Sequence, residues 1–175
     1  MKKASIVGFG DIFRGDLGIG CYVLDALSQE SLGQCVELFY LADQYIYTTA
    51  SIYKVELCII VQALDLGLSV GKVHCWSNEV FWRNSAYLSN QSEALDFLMQ
   101  SLVRTELIDG LPKSLAFVCV QPALIEGIGI SKEGRKGMRK AIRLIKEQLA
   151  QSGFLSYRDL QQKRIYKLEL LNCAA

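Results

Sequence analysis

Two short runs in this chain contain no polar residue at any position: Leu57-Cys-Ile-Ile-Val61 and Leu115-Ala-Phe-Val-Cys-Val120. A strand with one wet face alternates apolar and polar side chains. A strand that is apolar throughout needs cover on both faces, which is the signature of a mostly parallel sheet between two layers of helix. Ala4 to Gly8, Val36 to Leu41 and Gly71 to Trp76 read as further strands, and Arg164 to Leu171 alternates like a last, edge strand. Between them, apolar residues recur at helical spacing in Gly18 to Leu32, Ser92 to Arg104 and, most clearly, Lys132 to Gln151, with a weaker helical signal over Gln44 to Lys54. Strands alternating with helices predict a three-layer α/β/α fold with a mostly parallel central sheet, as a single domain over residues 1–175.

At 175 residues and 51% hydrophobic composition the chain is long enough to bury a core without disulfides or a structural metal. Nineteen basic residues face eighteen acidic ones, so the large basic excess of a general nucleic-acid binder is missing. No apolar stretch reaches the ~18 residues of a membrane span. The opening Met1-Lys-Lys and its short apolar run stop at Asp11, with no cleavage site of signal-peptide type. Six cysteines, at 21, 35, 58, 75, 119 and 173, have no C-x-x-C spacing and read as free, mostly buried thiols of a cytoplasmic protein.

In sheets of this kind ligands bind beyond the carboxyl ends of the strands, so chemistry is expected in the loops after Gly8, Val61, Trp76 and Val120. The first of these carries Gly8, Gly10, Asp11, Gly15, Asp16, Gly18 and Gly20. Its glycines suggest a phosphate cradle, but Phe13 breaks the G-x-G-x-x-G spacing of a dinucleotide site. The loop is closer to another pattern, G-x-G-N-x-L-x-x-D-[DE]-G-x-G. Three further segments follow in matching order: Cys58-Ile-Ile-Val-Gln62-Ala-Leu-Asp65-Leu-Gly67, Ser92 to Leu102, and Val118-Cys-Val-Gln121-Pro122-Ala-Leu-Ile-Glu126-Gly-Ile-Gly129-Ile-Ser131. Together, and as far as about Gln151, these segments resemble the hydrogenase maturation proteases, which clip a C-terminal extension from the large subunit of nickel–iron hydrogenases.

The resemblance implies the fold already deduced and a metal-gripping site formed by an acid in the glycine loop, an Asp at a strand end and a His further on. Here those positions fall on Leu17, Gln62 and Asn90, or Gln91 with a one-residue shift. A leucine has no donor atom and an amide offers only a neutral oxygen, so a cation such as nickel loses two anions and an imidazole. The expectation is a family member with a degenerate metal site, holding no cofactor firmly, that binds the hydrogenase large subunit or its precursor and meets nickel only as the partner's cargo. Neither nucleic acid nor membrane is an expected partner. One alternative is a working endopeptidase; a further one is a small-molecule or nucleotide-binding protein.

Other candidates are few. Asp16 is the one candidate catalytic acid, its structural alternative being a cap on the helix beginning near Gly18. Asp65 matches a family acid, but one turn past the strand end. His74 is the only imidazole and reads as a satisfied structural residue, since it and Cys75 point to opposite faces of a strand. No G-x-S-x-G elbow is present. The segment Trp76 to Gln91, rich in aromatic and polar residues, reads as a recognition loop. Residues 132–147 hold seven basic and two acidic residues, most simply the solvated face of an amphipathic helix.

Overall fold

The fully apolar strands obtain their cover in the way their composition demands. The computed structural model describes residues 2–41, 48–91 and 93–156. The strands are β1 (Ala4–Phe9), β2 (Val36–Leu41), β3 (Leu57–Ala63), β4 (Val73–Ser77) and β5 (Ser114–Val120). They form one sheet in the order β2-β1-β3-β5-β4. The helices are α1 (Ile19–Ser28), α2 (Thr48–Ile52), α3 (Asn78–Arg83), α4 (Ser85–Ser89), α5 (Glu93–Leu107) and α6 (Lys132–Gln151), with a 3-10 turn at Gly15–Gly18 before α1.

Alternate residues of each central strand feed two separate cores. Ile6, Ile59, Val61, Val118 and Val120 pack beneath α1 and α6, against Val23, Leu27, Ala141 and Ile145. Val7, Ile60, Phe117 and Cys119 pack beneath the other helices, against Ile52, Phe81, Leu95 and Leu102. Phe81 and Phe117 meet with ring centroids 5.4 Å apart, and Trp76 lies 5.7 Å from Phe117, so these aromatics belong to the core.

The sheet is parallel except for β4, which runs antiparallel to β5 with Val73 opposite Val120 and Ser77 opposite Ala116. The reason is chain length. Nine residues (64–72) separate β3 from β4, too few for the crossover of a dozen or more that a parallel return needs. The expectation of chemistry just after Trp76 is thereby overturned: β4 ends at the opposite edge of the sheet. The segment read as a recognition loop is the end of β4 followed by two short helices, α3 and α4. The predicted last strand, Arg164 to Leu171, and Tyr45, Tyr47 and Cys173 lie outside the described residues, as does the start of the weak helix, of which Thr48–Ile52 is observed.

Candidate functional site

From β1 the chain passes through α1 to β2 on one side, and then returns to place β3 on the other. Neighbouring strand ends whose connections leave in opposite directions open a crevice at their carboxyl ends. Residues 10–18, 64–72 and 121–131 follow the carboxyl ends of β1, β3 and β5 there.

Asp16 holds two of these loops together. Its side chain is fully buried. Oδ2 accepts hydrogen bonds from the Ala123 amide (2.8 Å), the Leu124 amide (3.1 Å) and the Ser131 hydroxyl (2.7 Å), while Oδ1 accepts from the Ser131 amide (2.7 Å). Burial opposes the charge, but hydrogen bonds from Ala123, Ser131 and Leu124 outweigh it and hold the carboxyl below its ordinary pKa. Ser131 in turn accepts from the Gly134 amide (2.8 Å) as N-cap of α6. The cap expected on the nearby helix is therefore not made: α1 and the 3-10 turn have no side-chain cap, and Asp16 reaches across the sequence to the start of α6. Both carboxylate oxygens are committed to this clamp, which leaves Asp16 badly placed for the catalytic task considered for it.

The glycines serve the same close assembly. Gly15 has φ +56, a left-handed conformation, and a Cβ there would lie 2.7 Å from the Leu124 carbonyl. A Cβ on Gly8 would lie 2.6 Å from the Gly20 carbonyl, and one on Gly20 only 2.0 Å from that of Phe9, so this pair lets α1 sit on β1. Gly10 and Gly18 are crowded likewise by Leu17 and Ile12. Five amides of this loop are already used: Phe13 donates to Asp11 Oδ1, Arg14 to the Asp11 carbonyl, Gly15 to Gly127, Asp16 to Leu124 and Leu17 to Arg14.

A second clip ties the loop after β3 to the end of β5. Gln121 Nε2 donates to Asp65 Oδ1 (2.9 Å), and Gln121 Oε1 accepts from the amides of Leu66 (2.8 Å) and Leu68 (3.2 Å). Asp65 Oδ1 also accepts from the Gly67 amide, and the bonds from Gln121 and Gly67 hold its pKa below the usual value. Pro122 is buried beside it. The Tyr87 hydroxyl donates to the Asp65 carbonyl (3.0 Å), which brings α4 back to this edge of the sheet.

The three positions marked by the family pattern differ from one another. Leu17 packs, partly buried, against the core under α1 and α6. Gln62, 9% exposed, alternates with Val61 and Ala63 and so lies on the opposite face; its Oε1 is buried and has no hydrogen-bond partner among the described residues. Asn90 is exposed at the C-terminus of α4, its Nδ2 donating to the Ala86 carbonyl (2.8 Å); Gln91 is exposed beside it. These positions supply neutral donors at most, and a divalent cation does not fit them. Among the described residues, no group of three or more His, Cys, Asp and Glu could hold a metal ion.

No protein-family model matches the sequence, and no curated protein matches it. Solved structures do. The hydrogenase maturating endopeptidase HybD from E. coli superposes with a TM-score of 0.79 over 86% of this chain and 94% of that one, at 22% identity. The fold is that of the hydrogenase maturation endopeptidases. The [NiFe] hydrogenase maturation protease HybD from Thermococcus kodakarensis matches over 83% of this chain and 98% of its own, with a TM-score of 0.68 at 18% identity. A hydrogenase 2 maturation peptidase from a Thaumarchaeota archaeon gives 0.66 over 85% and 99%, at 22% identity.

Within this maturation-endopeptidase fold, three features escaped the sequence reading. His74 stands directly opposite Cys119, which is in register with Gln62, so the three share one face of the sheet. His74 Nε2 is buried and unpartnered among the described residues, rather than satisfied as expected. Burial pushes the Cys119 thiol far up, so it is neutral and inert. Of the other cysteines, Cys21 and Cys58 are buried, Cys35 is partly covered and Cys75 is exposed; burial pushes Cys58 up to about 12. Finally, the two loops clamped by Asp16 leave Phe13, Ile125 and Ile128 exposed by 67%, 53% and 81%, an apolar rim on those loops. Only the alternation of apolar residues with glycine in 124–130 hinted at that rim.

Proposed function

We propose that this chain is a divergent member of the hydrogenase maturation endopeptidase family that binds the large subunit of a nickel–iron hydrogenase, or its precursor, during assembly in the cytoplasm. Its metal-gripping positions are degenerate, and it does not cleave. Nickel enters only as cargo of the partner. The observation that carries this reading is a contrast: the chain has the fold of the hydrogenase maturation endopeptidases, with clamped loops and an exposed apolar rim, while Leu17, Gln62 and Asn90 contribute no anion and no imidazole. An exposed apolar rim suits a polypeptide partner better than a small polar ligand. Within the described residues no helix is long and apolar enough to cross a membrane.

The test is to mix the protein with a nickel-loaded large-subunit precursor. The expected result is a complex that co-elutes on gel filtration with the precursor mass unchanged. Loss of the C-terminal peptide by mass spectrometry would overturn the reading in favour of an active endopeptidase. That second reading draws on Gln62 Oε1, a buried, unpartnered oxygen that could contribute one neutral donor to cargo nickel. The residue assignment has its own test: the Leu17→Glu, Gln62→Asp, Asn90→His variant should gain calorimetric nickel affinity over the parent, and unchanged binding would count against it.

A further inference from the structure

α6 presents a second surface that the crevice does not use. Lys132, Arg135, Lys136, Arg139, Lys140 and Arg143 follow one another at steps of three and one, which places all six on a single stripe. All six are exposed, whereas Gly134, Gly137, Ala141, Ile145 and Leu149 on the opposite side are buried. Lys136, Arg139, Lys140 and Arg143 line a shallow depression of about 260 Å³.

An ordinary solvated helix face mixes the two signs and is laced by pairs three or four residues apart. This stripe is not. Only its C-terminal end is paired: Arg143 has Glu147 at 3.6 Å, and Lys146, which continues the stripe, pairs with Glu30. Among the described residues, none of the other five cations has an ion-pair partner. Like charges at these spacings repel along the helix, and within α6 only the Arg143–Glu147 pair offsets them among the described residues. The chain carries +1 in all; with +5 in residues 132–147, the remainder carries −4. The molecule is therefore polarised, and a charged partner is oriented as it approaches.

We infer that the basic stripe of α6 is a docking site for an acidic polypeptide segment, distinct from the crevice. Charge complementarity selects an anionic occupant. The chain's own residues 157–175 are excluded by their composition of four basic and two acidic residues. A nucleic acid is disfavoured because no aromatic or amide side chain interleaves with the cations to stack on or read a base, and the acidic remainder repels a long polyphosphate. A single stripe spanning about 17 Å of helix is matched by roughly five residues of extended peptide. The inference does not depend on the hydrogenase assignment and is tested without it.

The probe is a fluorescein-labelled oligo-glutamate of ~8 residues, long enough to cover the stripe, with anisotropy read against the full chain. Saturable binding is expected, weakening roughly tenfold or more in K136E/R139E/K140E/R143E and steeply with added salt. The neutral variant K136Q/R139Q/K140Q/R143Q should lie between the two, and circular dichroism should show both variants folded. Parental binding that is absent, or that changes less than about twofold on charge reversal, overturns the proposal. So does tighter binding to oligo-thymidylate of similar length or to phosphatidylserine vesicles. None of these outcomes bears on whether the hydrogenase precursor is captured.

Discussion

Asp16, in the loop after β1, and Gln62, near the end of β3, are both buried, but their surroundings are opposites. Asp16 is a full charge whose two oxygens accept four hydrogen bonds from a loop more than a hundred residues away. Gln62 is neutral and keeps a buried oxygen with no partner among the described residues. A carboxylate stays ionised inside a protein when several donors converge on it, as they do on Asp16. Gln62 has no such convergence, so its polarity contributes nothing visible to the fold. The charge that ties the two loops together is present at Asp16, and Gln62 carries none.

The largest test of that contrast is Asp16→Ala. It leaves three amides and a hydroxyl without the buried carboxylate that accepts from them, which should cost about 3–5 kcal/mol and lower Tm by roughly 10 °C. A loss below about 1 kcal/mol in chemical denaturation would erase the distinction between the two residues. Because the folded pKa of Asp16 is depressed, its contribution is complete above the unfolded carboxylate value near ~3.9 and is lost as pH falls through the folded value. Asp16→Asn should flatten that part of the acid limb in pH-dependent denaturation.

The same clamp can be pushed from the helix side. A Cβ on Gly134 would fall 2.3 Å from Asp16 Oδ1, so Gly134→Ala should destabilise by about 1–3 kcal/mol, and by much less in an Asp16→Ala background. Gln121→Ala removes three hydrogen bonds of the second clip and should cost about 1–2 kcal/mol, with faster amide exchange at Leu66 and Leu68. Gln62→Leu should have the smallest effect, within about 1 kcal/mol of the parent and on the stabilising side, because it removes an orphaned polar atom. A large loss on thermal denaturation would show that the Gln62 amide has a structural role after all.

The layered sheet and its core were legible in the sequence because they rest on local composition: an apolar residue at every position from Leu57 to Val61 needs cover on both faces wherever the strand ends up. The 20-residue α6 was legible for a similar reason, since its Ser131 cap and its apolar stripe are both local signals. The direction of β4 was readable in principle from the nine residues that precede it, but its composition matched the parallel strands. The helices after it were hidden by the mixture of aromatic and polar residues in 76–91. At the site, the substituted ligand positions were visible as residue types. The partners of Asp16 were not, because Ala123, Leu124 and Ser131 meet it only after β1 and β5 have been placed in one sheet.

By itself, then, the sequence determined which segments are buried, that they stack as helix, sheet and helix, and that positions 17, 62 and 90 carry no anionic donor. These are properties of single residues and of short-range periodicity. Tertiary structure alone decided that Asp16 serves as a clamp, that β4 runs backwards, and that His74, Cys119 and Gln62 share one face. Each of those depends on which distant backbone donors and neighbouring strands come within hydrogen-bonding reach, and a linear order of residues does not contain that distance.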